Sequence, residues 1–282
     1  MKKAYLKVRF LLPEAEQEIL ISDLIDSGFT GFEQMENILE AWIGLEHFSD
    51  RMRGQLNQWL QTRSYGGRIL DEHIEEERNW NKEWEKSLQP ITVGSFYICS
   101  TWGKDPPPDG KVSIRIDPKM AFGTGYHETT RLMLRMLSSI IREGDRVLDV
   151  GTGTGILAFA ALKLGASHAT GVDIDTWSYE NALENARING LSDRFDMNLG
   201  TAGIIDKNAQ FEVILANINR NTLLDIAEPL TRNLSPDGSL LLSGITRADE
   251  DTINRNVHYA SLNKKQVMEE NEWIGIILDK DS

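Results

Sequence analysis

From Ala4 to Leu12 the chain alternates at its centre, with Leu6, Val8 and Phe10 on one side and Lys7 and Arg9 on the other. That period of two is the mark of a half-buried strand. Pro13 and Glu14 then open a stretch whose Ile19, Leu20, Leu24 and Ile25 share one helical face, and Gly28 follows at a C-cap position. Gly31 to Met35 and Ile38 to Leu45 read as a hairpin turning on Glu36-Asn37. A second helix is expected from about Ser49 to Thr62, with Met52, Leu56, Trp59 and Leu60 inward. Gly66-Gly67 turns into a short strand, Arg68 to Glu72. The resulting order β-α-β-β-α-β is the ferredoxin-like one and predicts a small α+β domain over residues 1–72. Many unrelated binding modules share that order, so it specifies no ligand.

Residues 73–89 are charged, with Trp80 and Trp84 spaced i,i+4, and predict a helical linker docked on one domain. Pro90 to Cys99 alternates again, Asp105 to Gly110 is a proline-rich surface turn, and Val112 to Ile116 is another short strand. From residue 145 onward apolar strands and helical stretches take turns. Val147–Val150, Ala169–Asp173, Phe211–Ala216 and Ser239–Ser243 read as strands, with two more near Gln266 and at Trp273–Leu278. Ile156–Leu164, Trp177–Asn189 and Leu223–Leu230 read as helices between them. Such alternation predicts a twisted, mostly parallel sheet with helices on both faces, a domain of residues 90–282. Asn181, Asn185 and Asn189 fall on one face of their helix and read as a solvated face.

Composition narrows the partners. A net charge of −13 argues against a nucleic-acid backbone, which needs clustered Lys and Arg, and would suit a basic protein partner. The single Cys99 cannot form an internal disulfide and reads as a buried thiol in a reducing compartment. No apolar run is long enough for a membrane span and no signal-peptide pattern opens the chain, so a cytoplasmic protein is expected.

The chemistry centres on Val147-Leu148-Asp149-Val150-Gly151-Thr152-Gly153-Thr154-Gly155, a buried strand running into a glycine turn and then a helix. The next strand ends at Asp173, 22 residues after Gly151, where an acid can accept hydrogen bonds from both hydroxyls of a ribose. Glycines Gly151, Gly153 and Gly155 would let the backbone approach an adenosine-containing cofactor. A nicotinamide dinucleotide fingerprint would need its third glycine at position 156, where the chain has Ile156. Gly-x-Gly-x-Gly instead resembles the first motif of class I S-adenosylmethionine-dependent methyltransferases. Upstream, Ala121 to Thr130 offers glycines and hydroxyls that could wrap the amino-acid end of such a cofactor, with Thr hydroxyls as helix caps in the plainer reading. His127 reads as a hydrogen-bonded structural residue before it reads as a base. Asn217 ends the fourth buried strand beside the glycine turn.

Four stretches together resemble the PrmA family of bacterial methyltransferases: Phe122-Gly123-Thr124-Gly125-x-His127-x-Thr129-Thr130, Asp149 to Ala158, Gly171-Val172-Asp173-Ile174-Asp175, and Ala216-Asn217-Ile218. The resemblance implies S-adenosylmethionine as cofactor, the large-subunit ribosomal protein L11 as substrate, and lysine ε-amines or an α-amine as acceptors. It implies cofactor contacts at Phe122, Thr130, Gly151, Gly153, Gly155, Asp173 and Asn217, with Asn217 also catalytic. It also implies a Rossmann-like methyltransferase domain behind a ferredoxin-like substrate-recognition domain, no metal and a monomer. The chain departs from the family pattern at Glu128 (usually proline), Asn219 (usually leucine) and Ser100-Thr101 before Trp102, where proline is common. A methyltransferase of another protein or of a small molecule, a nicotinamide-dependent oxidoreductase and a non-catalytic cofactor-binding module are the rival readings.

Overall fold

The computed structural model describes residues 4–62, 67–76, 88–103, 106–119 and 121–281. Its chain divides into two compact units, residues 1–80 and 81–282. The first holds β1 (Ala4–Leu11), α1 (Glu14–Asp26), β2 (Gly31–Gln34), β3 (Ile38–Gly44), α2 (Asp50–Thr62) and β4 (Arg68–Glu76). Its sheet runs β2-β3-β1-β4 with every neighbouring pair antiparallel. Leu6, Val8 and Phe10 alternate inward and share a core with Leu39, Ala41 and Ile43 of β3 and with Leu20, Leu24, Leu56 and Leu60 of the helices. Each Leu, Ile, Val or Phe side chain among them, fully withdrawn from water, contributes about 1.5–3 kcal/mol. On the opposite face of β1, Lys7 and Arg9 pair with the buried Glu40 of β3, and Arg9 also meets Asp71 of β4 at 3.0 Å.

Two expectations shift here. The inward face of α1 is Gln17, Leu20 and Leu24, while Ile19 and Ile25 are 49% and 56% exposed. One residue is 100° of helix, so neighbours of Leu20 and Leu24 are swung off their stripe. Gln17 takes the apolar position because its Nε2 donates to the Met35 carbonyl at 2.7 Å. The last strand also continues past Glu72 to Glu76, so residues 73–76 pair with β1 instead of starting the linker. Trp80, Trp84 and Asp105 lie outside the described residues.

The second unit opens with a small sheet of β5 (Ile91–Val93), β6 (Phe96–Cys99) and β7 (Val112–Arg115), antiparallel then parallel. After helix α3 (Glu128–Leu137), a seven-stranded sheet is built from β8 (Arg146–Val150), β9 (His168–Asp173), β10 (Phe195–Leu199), β11 (Phe211–Asn217), β12 (Leu234–Thr246), β13 (Asn263–Glu270) and β14 (Trp273–Asp279). The order is β10-β9-β8-β11-β12-β14-β13, and β14 alone runs against its neighbours. Both faces are covered, so alternate residues feed two separate cores. Val147, Val213, Leu215, Leu241 and Ile277 join one with α3 and α4 (Ile156–Leu164). Leu148, Ile214, Ala216, Leu240 and Ile276 join the other.

The helix expected at Leu223–Leu230 is two helices, α6 (Arg220–Asp225) and α7 (Ala227–Asn233), broken at Ile226. Pro229 explains the break, because its ring clashes with the carbonyl four residues back, that of Asp225. The asparagine face of α5 (Thr176–Ile188) is likewise not solvated: Asn181 and Asn185 are 2% and 0% exposed. Their amides, with Asn189, form a ladder against the backbone after β7. Asn189 exchanges two bonds with Arg115, Asn185 accepts from the Asp117 amide at 3.0 Å, and Asn181 donates to the Asp117 carbonyl at 2.8 Å. An amide carries donor and acceptor together and can therefore substitute for a neighbouring strand.

Candidate active site

The chain leaves β8 for β9 and β10 on one side and comes back to β11 on the other, which opens a crevice at the carboxyl ends of β8 and β11. Ligands of open α/β sheets bind at such a switch point. A cavity of about 400 Å³ lies there, its wall including Gly151, Gly153, Asp173, Ile174, Asn217 and Ile218. That volume is within the roughly 300–1,000 Å³ of small-molecule sites.

The glycine turn is shaped by close approach. Gly151 has φ +72°, and a Cβ on it would stand 2.3 Å from Ile218 Cγ2. Gly153 has φ +55°, and a Cβ there would stand 2.3 Å from the Phe122 carbonyl oxygen. The segment around Phe122 is clasped to the turn: the Thr154 amide donates to the Phe122 carbonyl at 2.9 Å, and its hydroxyl to the Gly123 carbonyl at 2.6 Å. Phe122, 53% exposed, forms part of the cavity wall. Gly155 instead packs beneath the ring of Phe159 at the start of α4.

Beneath the turn, Asp149 is fully buried and accepts hydrogen bonds from the Thr152 hydroxyl at 2.7 Å and the Ala158 amide at 3.2 Å. Burial pushes its carboxyl up to about 7, against the pull of those two bonds. Because the folded value lies above the unfolded one of about 4, ionisation works against folding. Stability from this group is complete below about pH 4 and is lost as pH rises toward 7. The melting temperature of the wild type should therefore drop relative to that of Asp149→Asn between about pH 4 and pH 7. A gap that stays constant over that window would show that Asp149 does not titrate there.

Asp173 ends β9 with each carboxylate oxygen holding one protein donor, Gly153 N–H at 2.9 Å and Asp175 N–H at 3.0 Å. A carboxylate oxygen accepts more than one bond, so both retain capacity toward the cavity. Asn217 ends β11. Its Nδ2 donates to the Thr130 hydroxyl at 3.4 Å, while its Oδ1 is buried without a hydrogen-bond partner. An orphaned buried acceptor is costly and points to a ligand donor. Thr130 is fully buried behind Asn217 and is not on the cavity wall. His127 is the N-cap of α3, its Nδ1 accepting from the Thr129 amide, and its ring is edge-on to Phe122 and Trp273.

The departures from the family pattern have local explanations. Glu128 is the first residue of α3, where proline is favoured but an acid suits the helix dipole. Asn219 is the N-cap of α6, its Oδ1 accepting from the Thr222 amide at 3.0 Å. Thr101 bonds Asp117 through its amide and its hydroxyl.

The asparagine ladder escaped the reading of the sequence. Ala182 and Ala186, both buried beside it, were the available signal, since small residues between repeated amides mark a packed face. Asn185 also donates to the Thr154 carbonyl at 3.1 Å, so the ladder reaches the glycine turn itself. Among the described residues, no group of three or more His, Cys, Asp or Glu could hold a metal, and no helix is long and apolar enough to cross a membrane.

Residues 26–281 match the family model described as ribosomal protein L11 methyltransferase (PrmA). A protein of that name from Porphyromonas gingivalis is 36% identical over 272 residues, covering 95% of this chain and 92% of that one. Another from Bacteroides fragilis is 34% identical over 271 residues, covering 93% and 94%. The solved structure of a ribosomal protein L11 methylase from Lactobacillus delbrueckii subsp. bulgaricus superposes with a TM-score of 0.63 at 31% identity. It covers 69% of this chain and is itself covered completely.

Proposed function

This chain belongs to the PrmA family of ribosomal protein L11 methyltransferases, and from that premise we propose that it methylates amino groups of L11 using S-adenosylmethionine. The observation that carries the catalytic reading is the buried, unpartnered Oδ1 of Asn217, on the wall of the cavity that Asp173 and the glycine turn also line. When bound, the donor supplies a methyl group on a sulfonium, so a C–S bond breaks as the N–C bond forms.

The chain's own residues then have three tasks. Asp173, with acceptor capacity left on both oxygens, holds the ribose hydroxyls, and Gly151 and Gly153 let the donor lie against the backbone. Phe122 shields the cavity from water. Asn217 accepts a hydrogen bond from the incoming amine through Oδ1 and so aims the nitrogen lone pair. The amine must first be neutral, whereas a free lysine ionises with a pKa of about 10.4. Entry into a partly apolar cavity favours the neutral form. An amide acceptor serves better here than a carboxylate, which would hold the ammonium as an ion pair. Thr130 acts through Asn217, fixing its amide from behind.

We read the first unit, with its β2-β3-β1-β4 sheet under two helices, as a ferredoxin-like domain that recognises the substrate protein. The enzyme is expected to work in the cytoplasm as a monomer, without direct nucleic-acid contact. Incubating it with methyl-labelled S-adenosylmethionine and purified L11 should label lysine or α-amino nitrogens. Label confined to another protein would refute the substrate. Replacing Asp173 by alanine should weaken donor binding by about 1.5–3 kcal/mol, the worth of hydrogen bonds to a charged group. Unchanged affinity by calorimetry would remove the ribose assignment.

A further inference from the structure

Ile218, the residue after Asn217, is held between two glycines. On its side-chain face stands Gly151 of the glycine turn, where a Cβ would meet Cγ2 at 2.3 Å. On its backbone face stands Gly244 of β12, where a Cβ would meet the Ile218 oxygen at 2.4 Å, carbon at 2.7 Å and nitrogen at 2.8 Å. Gly244 has φ +84° and lies in a register break, between Leu242 and Ile245, of the β12–β14 pairing. The ladder is interrupted there, and the Ile218 backbone lies against Gly244. Beside it, Asn217 is paired with Ser243, and the Ile218 amide donates to the Ser243 carbonyl at 3.2 Å. Ser243 is itself pinned, its hydroxyl donating to the Ile274 carbonyl of β14 at 2.8 Å.

We propose that Gly244 is a positioning residue for methyl transfer: its bare Cα lets the Ile218 peptide seat on β12 and thereby sets the direction in which Asn217 presents Oδ1. This rests on the catalytic reading of Asn217 given above. Ordinary contact begins at 3.4 Å, so a methyl at 244 would drive the Ile218 oxygen back by about 1 Å. A misplacement of that size lowers turnover by about a hundredfold in well-aligned reactions. Asp173 ends β9, separated from β11 by β8, and its bonds to Gly153 and Asp175 do not involve Ile218.

The test uses the full chain with S-adenosylmethionine and L11. Gly244→Ala should lower kcat by about ten- to a hundredfold, several times more than it lowers donor affinity, since Ile218 is on the cavity wall but Asp173 is not displaced, and KM for L11 should stay within about twofold of wild type. Gly190→Ala is the control for backbone strain alone, because Gly190 has φ +68° and nothing within 4 Å of an added Cβ. It should lower the melting temperature and leave kcat unchanged. In the double variant with Asn217→Ala, Gly244→Ala should add nothing further, since it acts through Asn217. Wild-type kcat in Gly244→Ala, or additive losses in the double variant, would overturn the proposal. Full activity in Asn217→Ala would instead overturn the catalytic reading on which it rests. Should Gly244→Ala fail to fold, Ile218→Ala loosens the same clamp from the Gly151 side. It is then expected to lose kcat at least about fivefold, more than it loses donor affinity, and unchanged kcat refutes the clamp.

Discussion

Asn217→Ala is expected to reduce turnover by about a hundredfold or more while leaving the protein folded. The side chain gives the structure one long hydrogen bond, to Thr130 at 3.4 Å, so its removal should shift the melting temperature by only a few degrees. What it gives the reaction, in the proposed geometry, is an unpartnered acceptor for the amine. Without it the amine enters unaligned, and effective molarity falls with misalignment. Donor affinity should change far less, because the glycine turn and Asp173 stay in place. Single-turnover kinetics separate the two quantities. A variant that turns over near the wild-type rate, with unchanged thermal stability, would leave Asn217 a structural strand-end residue.

The second large effect concerns the first unit. A fragment of residues 81–282 is expected to bind S-adenosylmethionine within about twofold of the full chain yet to lose methylation of L11. Among the described residues, the core of the first unit draws on residues from Leu6 to Ile69, and those of the second on residues from Ile91 onward. Every proposed donor contact lies between Phe122 and Asn217. We propose that substrate recognition is the work of the first unit. If the fragment methylates L11 at the full-length rate, that division of labour is wrong.

Features with a short sequence period were legible. Alternation at Leu6, Val8 and Phe10, the Glu36-Asn37 turn and the strand-glycine-helix run at Val147–Leu164 depend on neighbours close in the chain, and each stands where the pattern puts it. The glycine turn and the Asp173 spacing likewise located the cavity. Features that depend on tertiary neighbours were not legible. Gln17 looks solvent-facing until the Met35 carbonyl is known to lie beneath it. Thr130, a hydroxyl at the start of a helix, gives no sign that Asn217 will stand between it and the cavity. Gly244 shows no motif at all, because its partner Ile218 arrives from another strand. Pro229 was the exception, a local signal whose effect on the preceding turn could have been read directly.

The asparagine ladder has a bearing on how the molecule assembles in time. Its bonds between Arg115–Asp117 and Asn181–Asn189 join residues 64 to 74 apart in sequence. Closing a loop of that length carries a large entropic penalty, so such contacts form after local helices and adjacent strands. One rung, Asn185, also holds the Thr154 carbonyl of the glycine turn. During refolding, then, native-like helical signal should return before the ability to capture S-adenosylmethionine, and the nucleotide crevice should be among the last parts of the protein to mature.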